Sequence, residues 1–179
     1  ASFGTRLVFG MSLPTLRNDL ARVYEPKAPA PSQRLATLRA AKAAGLHVYV
    51  AVAPTYPECD ESDLRATLTA VAELEPITIF HEPINIRAEN VVRIATQARK
   101  LGIQLKEEVF ATRQSWEHYA NDSLKKVHEI ARELGITNRL HLWPDKSLGS
   151  KATLAQMPNP RNYLHNLQQW WNRISEWPK

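Results

Sequence analysis

Short apolar runs alternate with amphipathic stretches along most of the chain. Stretches of helical periodicity end at Gly45, Pro76, Gly102 and Gly135, and an apolar run follows each of these residues. Glycine just beyond a helix supplies a left-handed cap and proline stops a helix. The pattern therefore predicts repeated helix–strand units, each about 30 residues long.

The apolar runs predict five strands, and the amphipathic stretches predict the helices between them. The strands are expected at Leu7–Met11, His47–Ala53, Ile77–Phe80, Gln104–Val109 and Arg139–Trp143. Long helices are expected to begin near residues 32 and 62 and to run over 88–101 and 115–134. Strands that alternate with helices favour an α/β fold with a parallel sheet. Five strands do not close an eight-stranded barrel, so the sheet is either open and doubly wound or part of a barrel.

The composition predicts one folded domain over residues 1–179, with βα units over 1–157 and a terminal amphipathic helix over 158–179. The chain is 44% hydrophobic and 23% charged, and its net charge of +5 permits an anionic partner.

No apolar run approaches the roughly 20 residues of a membrane-spanning helix. Ala1–Arg6 lack the apolar core of a signal peptide, so we expect a cytoplasmic protein without a membrane partner. Cys59 is the single cysteine, which excludes an internal disulfide and a three-cysteine iron–sulfur site.

Polar side chains mark the carboxyl ends of the predicted strands, where parallel α/β folds place their sites. Ser12 follows the first strand, and His81 and Glu82 follow the third. Because side chains alternate along a strand, only one of His81 and Glu82 can point to a given side of the sheet. Glu25 and Arg34 flank a proline-rich loop, and we expect them to pair across it.

These strand ends allow three interpretations. His81, His141 and one of Glu107 or Glu108 offer imidazole and carboxylate ligands, which would suit a metal-dependent hydrolase or isomerase. The same groups can instead form an ion-pair and hydrogen-bond layer, in which case no metal is bound. A non-catalytic half-barrel that binds a partner is the third possibility.

Several short motifs follow one another along the chain. They are a serine-containing strand at Val8–Thr15, a Leu-Ala-Arg and an acidic-Pro loop at Leu20–Pro26, an Arg-Leu at Gln33–Leu35 and a Val-Ala-Pro strand at Val52–Pro57. In this order they resemble the back half of the barrel in radical S-adenosylmethionine enzymes of the spore photoproduct lyase and DNA repair photolyase group. The likeness is weaker at Phe80–Asn85 and His141–Asp145.

The resemblance implies a partial (β/α) barrel, equivalent to strands four to eight of the family's barrel, with outer helices and a terminal helix. It also implies that Ser12 helps to hold S-adenosylmethionine and that Ala53 and Pro54 pass the adenine by their backbone. His81 and Asn85 would face the same cavity. No catalytic residue and no metal ligand is carried over.

One departure from the family is large. Its iron–sulfur cluster is held by a three-cysteine loop after its first strand, and this sequence has no such loop. We therefore expect the carboxyl-terminal part of a lyase or oxidoreductase that is inactive alone, because cleavage of S-adenosylmethionine needs an electron from the 4Fe–4S cluster. The chain is then a truncated form, a proteolytic fragment or a half-barrel gene product. A nucleic-acid or other anionic substrate is expected, and the exposed front strand predicts a homodimer.

Overall fold

A computed structural model describes residues 7–85, 88–174 and 176, with the backbone alone at 88 and 89. The described residues form a four-stranded parallel sheet and seven α-helices. The strands are β1 (Val8–Ser12), β2 (His47–Thr55), β3 (Thr78–Pro83) and β4 (Leu140–Leu142). The helices are α1 (Asn18–Tyr24), α2 (Pro31–Ala43), α3 (Glu61–Ala72), α4 (Ala88–Leu101), α5 (Arg113–Glu133), α6 (Lys151–Leu154) and α7 (Pro160–Ile174). The predicted α/β class is thus confirmed.

The strands lie side by side in chain order, β1-β2-β3-β4, and every neighbouring pair is parallel. The connection between two neighbouring parallel strands is right-handed. When the strands follow one another in chain order, the helices that connect them therefore pack on the same side of the sheet. Alternate residues of β2, Val48, Val50 and Val52, are fully buried on that side. They share one core with Leu38 of α2 and Leu68 of α3, and also with Leu124 of α5. On the other side of β2, Tyr49 and Ala51 are only half-buried.

The predicted fourth strand, Gln104–Val109, is wrong. Ile103 and Leu105 alternate with polar residues as in a strand, but they pack into a second apolar cluster rather than beside β3. The backbone N–H of Lys106 donates to Glu58 Oε1 at 2.9 Å. A 3₁₀ helix over Glu107–Phe110 then leads into α5, so these residues never reach the sheet.

The helix predicted over 88–101 is present as α4, but it packs mainly on α1. The second apolar cluster joins Leu20 and Val23 of α1 to Ile94 and Ala98 of α4. These helices follow β1 and β3 directly, so both lie in connections that leave the carboxyl ends of strands. They contact each other there, and α2 and α5 provide the sheet packing instead.

The terminal helix is confirmed over Pro160–Ile174, where it contacts β4. The rest of its predicted range at 175 and 177–179 lies outside the described residues, as do residues 1–6. Across 7–85, 88–174 and 176, no helix has both the length and the apolar character needed to cross a bilayer.

Candidate functional site

A cavity of about 420 Å³ opens between the carboxyl ends of β2 and β3 and the α1–α4 pair. We call it the strand-end cavity. Its floor comes from the two strands and the segment after β3, and its cover comes from the end of α1 and the first half of α4. The lining residues are Tyr24, Glu25, Ala53, Pro54, Tyr56, Glu82, Pro83, Ile84, Asn85, Asn90, Arg93 and Ile94.

Three of the five residues predicted to contact a cofactor line this cavity: Ala53, Pro54 and Asn85. Ala53 and Pro54 are joined by a cis peptide bond and lie where the pairing register between β2 and β3 shifts. The Asn85 side chain donates from Nδ2 to Asp145 Oδ2 at 2.9 Å, which fixes its carboxamide beside the segment that follows β4.

Ser12 lies next to the cavity wall rather than on it. Its Oγ is 3.3 Å from Arg34 Nη1, and the same nitrogen donates to Glu25 Oε2 at 2.9 Å. Arg34 is only 3% exposed, and its Nε donates to the Pro29 carbonyl at 2.8 Å. The predicted pairing of Glu25 with Arg34 across the proline loop is confirmed. Arg34 Nη2 is buried and has no hydrogen-bond partner among the described residues.

Two tyrosines that sequence reasoning missed form one side of the cavity. The rings of Tyr24 and Tyr56 stack with their centroids 3.9 Å apart. Tyr24 donates its hydroxyl to Glu58 Oε2 at 2.7 Å, and Tyr56 donates to Glu25 Oε2 at 3.0 Å. Burial, reinforced by the neighbouring glutamate, raises the pKa of each phenol far above its usual range, so both hydroxyls stay protonated donors. The available signal was that each tyrosine precedes a glutamate by one or two residues.

His81 is fully buried on the helix-facing side of β3, away from the cavity. Its Nδ1 is 3.1 Å from the Val52 carbonyl, and its Nε2 is 3.4 Å from Ser123 Oγ of α5. A carbonyl only accepts, so Nδ1 carries the hydrogen and Nε2 is the acceptor. Burial lowers the pKa of the imidazole to about 4. As the alternation rule required, its neighbour Glu82 is the one that lines the cavity.

The groups proposed for a metal site do not converge. His141 pairs in register with Phe80, so it lies on the opposite face of the sheet from His81. Glu107 and Glu108 are exposed in the 3₁₀ helix, outside the sheet. Within the described ranges, no three His, Cys, Asp or Glu side chains are arranged to hold a metal ion.

A wider groove of about 680 Å³ adjoins the strand-end cavity between the proline loop and α4. We call it the proline-loop groove. Glu25 and Arg93 line both spaces. Lys27 and Lys100 add two further positive charges to the groove, so cationic side chains outnumber the single carboxylate.

The cysteine content does not fit an iron–sulfur cluster. Cys59 is partly buried near the strand-end cavity, and burial raises the pKa of its thiol to about 11. Cluster iron is bound by several thiolates, whereas this single side chain is held as a neutral thiol. The residues of this chain therefore do not hold such a cluster.

Comparison with known proteins gives one informative match. The chain is 32% identical over 96 residues to the uncharacterized protein ORF301 of Acidianus two-tailed virus. The matched stretch covers 51% of this chain and 32% of the viral protein, so it spans about a third of that relative. No family model matches the chain. No solved structure matches it either.

Proposed function

We propose that this chain is the carboxyl-terminal part of a radical S-adenosylmethionine enzyme and that the strand-end cavity binds part of S-adenosylmethionine. The observation that supports this most is the position of the cavity. It lies at the carboxyl ends of consecutive parallel strands, where α/β proteins bind ligands. Ala53, Pro54 and Asn85, which the resemblance assigns to cofactor binding, line it together.

The chemistry of the cavity suits such a ligand. A volume of about 420 Å³ lies within the usual range for small-molecule sites. Asn85 offers a carboxamide, and Tyr56 offers an aromatic wall. Beside the cavity wall, Ser12 Oγ lies 3.3 Å from Arg34 Nη1, and the serine hydroxyl can itself donate a hydrogen bond. A carboxylate or ribose oxygen would satisfy such donors.

Bound S-adenosylmethionine would supply radical chemistry once an electron reaches it from an iron–sulfur cluster. Because the residues of this chain do not hold that cluster, its own task in the proposal is to bind and orient. The enzyme would act as a lyase or oxidoreductase only together with a cluster-binding part.

We also propose that the substrate is a nucleic acid or another anionic molecule that enters along the proline-loop groove. Lys27, Arg93 and Lys100 line that groove, and Arg93 reaches the strand-end cavity as well. Positive side chains along a groove attract phosphate groups and release their counterions. Binding of a short single-stranded DNA should therefore weaken steeply as salt concentration rises.

The cofactor proposal is tested by titrating the purified chain with S-adenosylmethionine in a calorimeter. Wild type should bind, and Ser12→Ala should bind several-fold more weakly because a hydroxyl beside Arg34 is lost. Ser62→Ala is the matched control, because Ser62 Oγ donates to Asp60 on the exposed start of α3, away from the strand-end cavity. If wild type does not bind, the cofactor assignment is wrong. Equal binding by both serine variants would remove Ser12 from the site.

A second proposal concerns β1, which pairs only with β2 among the described strands. Leu7, next to this strand, is 45% exposed. Unpaired strand edges with apolar neighbours favour pairing with another chain, so we propose a homodimer through β1. Light scattering should show a mass that rises with concentration, and Leu7→Lys should suppress the rise. A monomer at every concentration would refute the dimer.

A further inference from the structure

We propose, taking the strand-end cavity as the ligand site proposed above, that one face of α5 holds the rim of that cavity in its binding geometry. The positioning residues are Trp116, Tyr119 and Ser123. They lie three and four residues apart, so they form one stripe along the first half of α5. None of them lines the cavity itself.

Each of these side chains bonds to a strand end that shapes the cavity. Trp116 donates from Nε1 to the Ile84 carbonyl at 2.7 Å. Tyr119 donates its hydroxyl to the Thr55 carbonyl, also at 2.7 Å. Ser123 Oγ lies 3.4 Å from Thr55 Oγ1.

The acceptors belong to Thr55, which connects two lining residues, and to Ile84, which lines the cavity itself. Thr55 lies between Pro54 and Tyr56, and Ile84 lies between Pro83 and Asn85. The carbonyl of Thr55 also accepts the backbone N–H of Ile84 at 2.9 Å. One oxygen therefore joins both segments of the rim and receives the Tyr119 hydroxyl as well.

Ser123 Oγ also lies 3.4 Å from His81 Nε2 in β3, but the other contacts of α5 with the sheet are of a different kind. Further along the helix, Leu124, Val127 and Ile130 are buried in the apolar core. Apolar packing is non-directional, whereas hydrogen bonds fix both distance and angle. Directional contacts are thus concentrated where α5 passes the cavity, which is the arrangement expected if rim geometry matters for binding.

Burial keeps these contacts intact. Trp116 and Ser123 are each 4% exposed, and Thr55 is 1% exposed. Burial also raises the pKa of the Tyr119 phenol beyond its usual range, so its hydroxyl remains a donor at any physiological pH. Water therefore does not readily replace the helix as the partner of these carbonyls.

The decisive comparison is Tyr119→Phe against Tyr163→Phe. Each change removes one tyrosine hydroxyl and one hydrogen bond, because Tyr163 donates to Asn121 Oδ1 at 2.6 Å. The Tyr163 bond joins α7 to α5 and touches no residue of the rim. We expect similar melting temperatures for the two variants, so a merely structural role would not separate them.

Hydrogen exchange measured by mass spectrometry reports on the rim without any ligand. The Ile84 amide should exchange about fivefold faster in Tyr119→Phe than in wild type, and at the wild-type rate in Tyr163→Phe. Titration with S-adenosylmethionine should show a similar fold-loss of affinity for Tyr119→Phe alone. Ser123→Ala, with the same expected direction, serves if Tyr119→Phe does not fold.

The outcomes separate this inference from the proposed function. Unchanged Ile84 exchange together with unchanged affinity in Tyr119→Phe overturns the positioning role. If wild type does not bind S-adenosylmethionine, the cofactor assignment fails, and the exchange of Ile84 alone then decides whether α5 holds the rim.

Discussion

Tyr24 and Tyr56 stack in parallel, and each donates its hydroxyl to the glutamate that lies near the other tyrosine in the sequence. Tyr24 bonds to Glu58, and Tyr56 bonds to Glu25. The ring planes differ by 5°. This exchange of partners ties the end of α1, which is part of the cover of the strand-end cavity, to the segment after β2 by two crossed hydrogen bonds.

We predict that Tyr56→Phe destabilises the fold by ~1–3 kcal/mol, since the lost bond goes to a charged acceptor. The ring remains, so the stack with Tyr24 should persist. Urea unfolding followed by circular dichroism measures the change. Tyr163→Phe, whose hydroxyl bonds to the neutral side chain of Asn121, should cost less. A loss no larger than in that control would show that the crossed bond contributes little.

The Glu25–Arg34 pair gives a second prediction. Glu25→Gln keeps the shape and an acceptor for Tyr56, but it leaves the charge of the nearly buried Arg34 without its partner. Removing one member of a buried pair costs about 3–5 kcal/mol, and partial exposure of Glu25 places the expected loss at the low end.

Glu73→Gln provides the comparison, because the Arg39–Glu73 pair is more than half exposed on both sides. Its loss should cost ~1 kcal/mol or less and should shrink as salt is added. Equal losses in the two variants by urea unfolding would mean that Arg34 does not depend on Glu25.

The strands that the sequence predicted correctly are those whose apolar runs find a neighbour in the sheet. The run His47–Ala53 has alternate valines that face the helices, and its pattern is decided by local periodicity. Ile103 and Leu105 show the same alternation, yet they are partly buried against the apolar cluster of α1 and α4. Periodicity reports that a side chain is buried, but it does not report against which element.

The sequence predicted only part of the candidate site. Ala53, Pro54 and Asn85 meet at the strand ends because parallel topology brings these ends to one edge. The stack of Tyr24 on Tyr56 depends on where α1 lies, a long-range consequence of the α1–α4 packing. His81 was placed in the cavity by its position in a motif, whereas the alternation of β3 turns its side chain into the core.

His81 predicts a specific pH dependence of stability. The folded-state pKa is about 4, while an unfolded histidine titrates near 6.5, so the unfolded chain binds the extra proton between these values. Stability should therefore fall as pH drops from about 6.5 to 4, by up to ~3 kcal/mol from this residue.

His81→Asn isolates that contribution, because the Asn amide can reproduce the donor that Nδ1 offers to the Val52 carbonyl. The variant should show a flatter stability curve below pH 6.5 than wild type in urea unfolding. Parallel curves for the two proteins would contradict a buried neutral imidazole.

Cys59 should react slowly in the native protein. With a pKa of about 11, its thiolate fraction at pH 8 is roughly a hundredfold below that of an unperturbed cysteine. Alkylation by iodoacetamide, followed by mass spectrometry, should be correspondingly slower in buffer than in urea. Cys59→Ser controls for modification at other residues, and equally fast alkylation of folded and unfolded chains would refute the burial of the thiol.

Gly10 and Tyr49 provide the last prediction, on the half-exposed face of the sheet. The two residues pair in register, and a Cβ added to Gly10 would lie 2.0 Å from ring carbons of Tyr49. Gly10→Ala must therefore displace the ring, which also meets Phe80 edge-on with centroids 5.9 Å apart. Overpacking of this kind costs ~1–3 kcal/mol.

A double-mutant cycle with Tyr49→Ala tests the cause. If the clash is responsible, Gly10→Ala should cost much less in the Tyr49→Ala background, and the near-ultraviolet circular dichroism of the single Gly10→Ala variant should change as the ring moves. Additive losses in the two backgrounds would instead assign the cost of Gly10→Ala to the β1 backbone. Gly10 lies two residues before Ser12 in β1, so the two residues share one face of the sheet. If Gly10→Ala displaces the Tyr49 ring but leaves the affinity for S-adenosylmethionine unchanged, this face of the sheet is independent of the strand-end cavity.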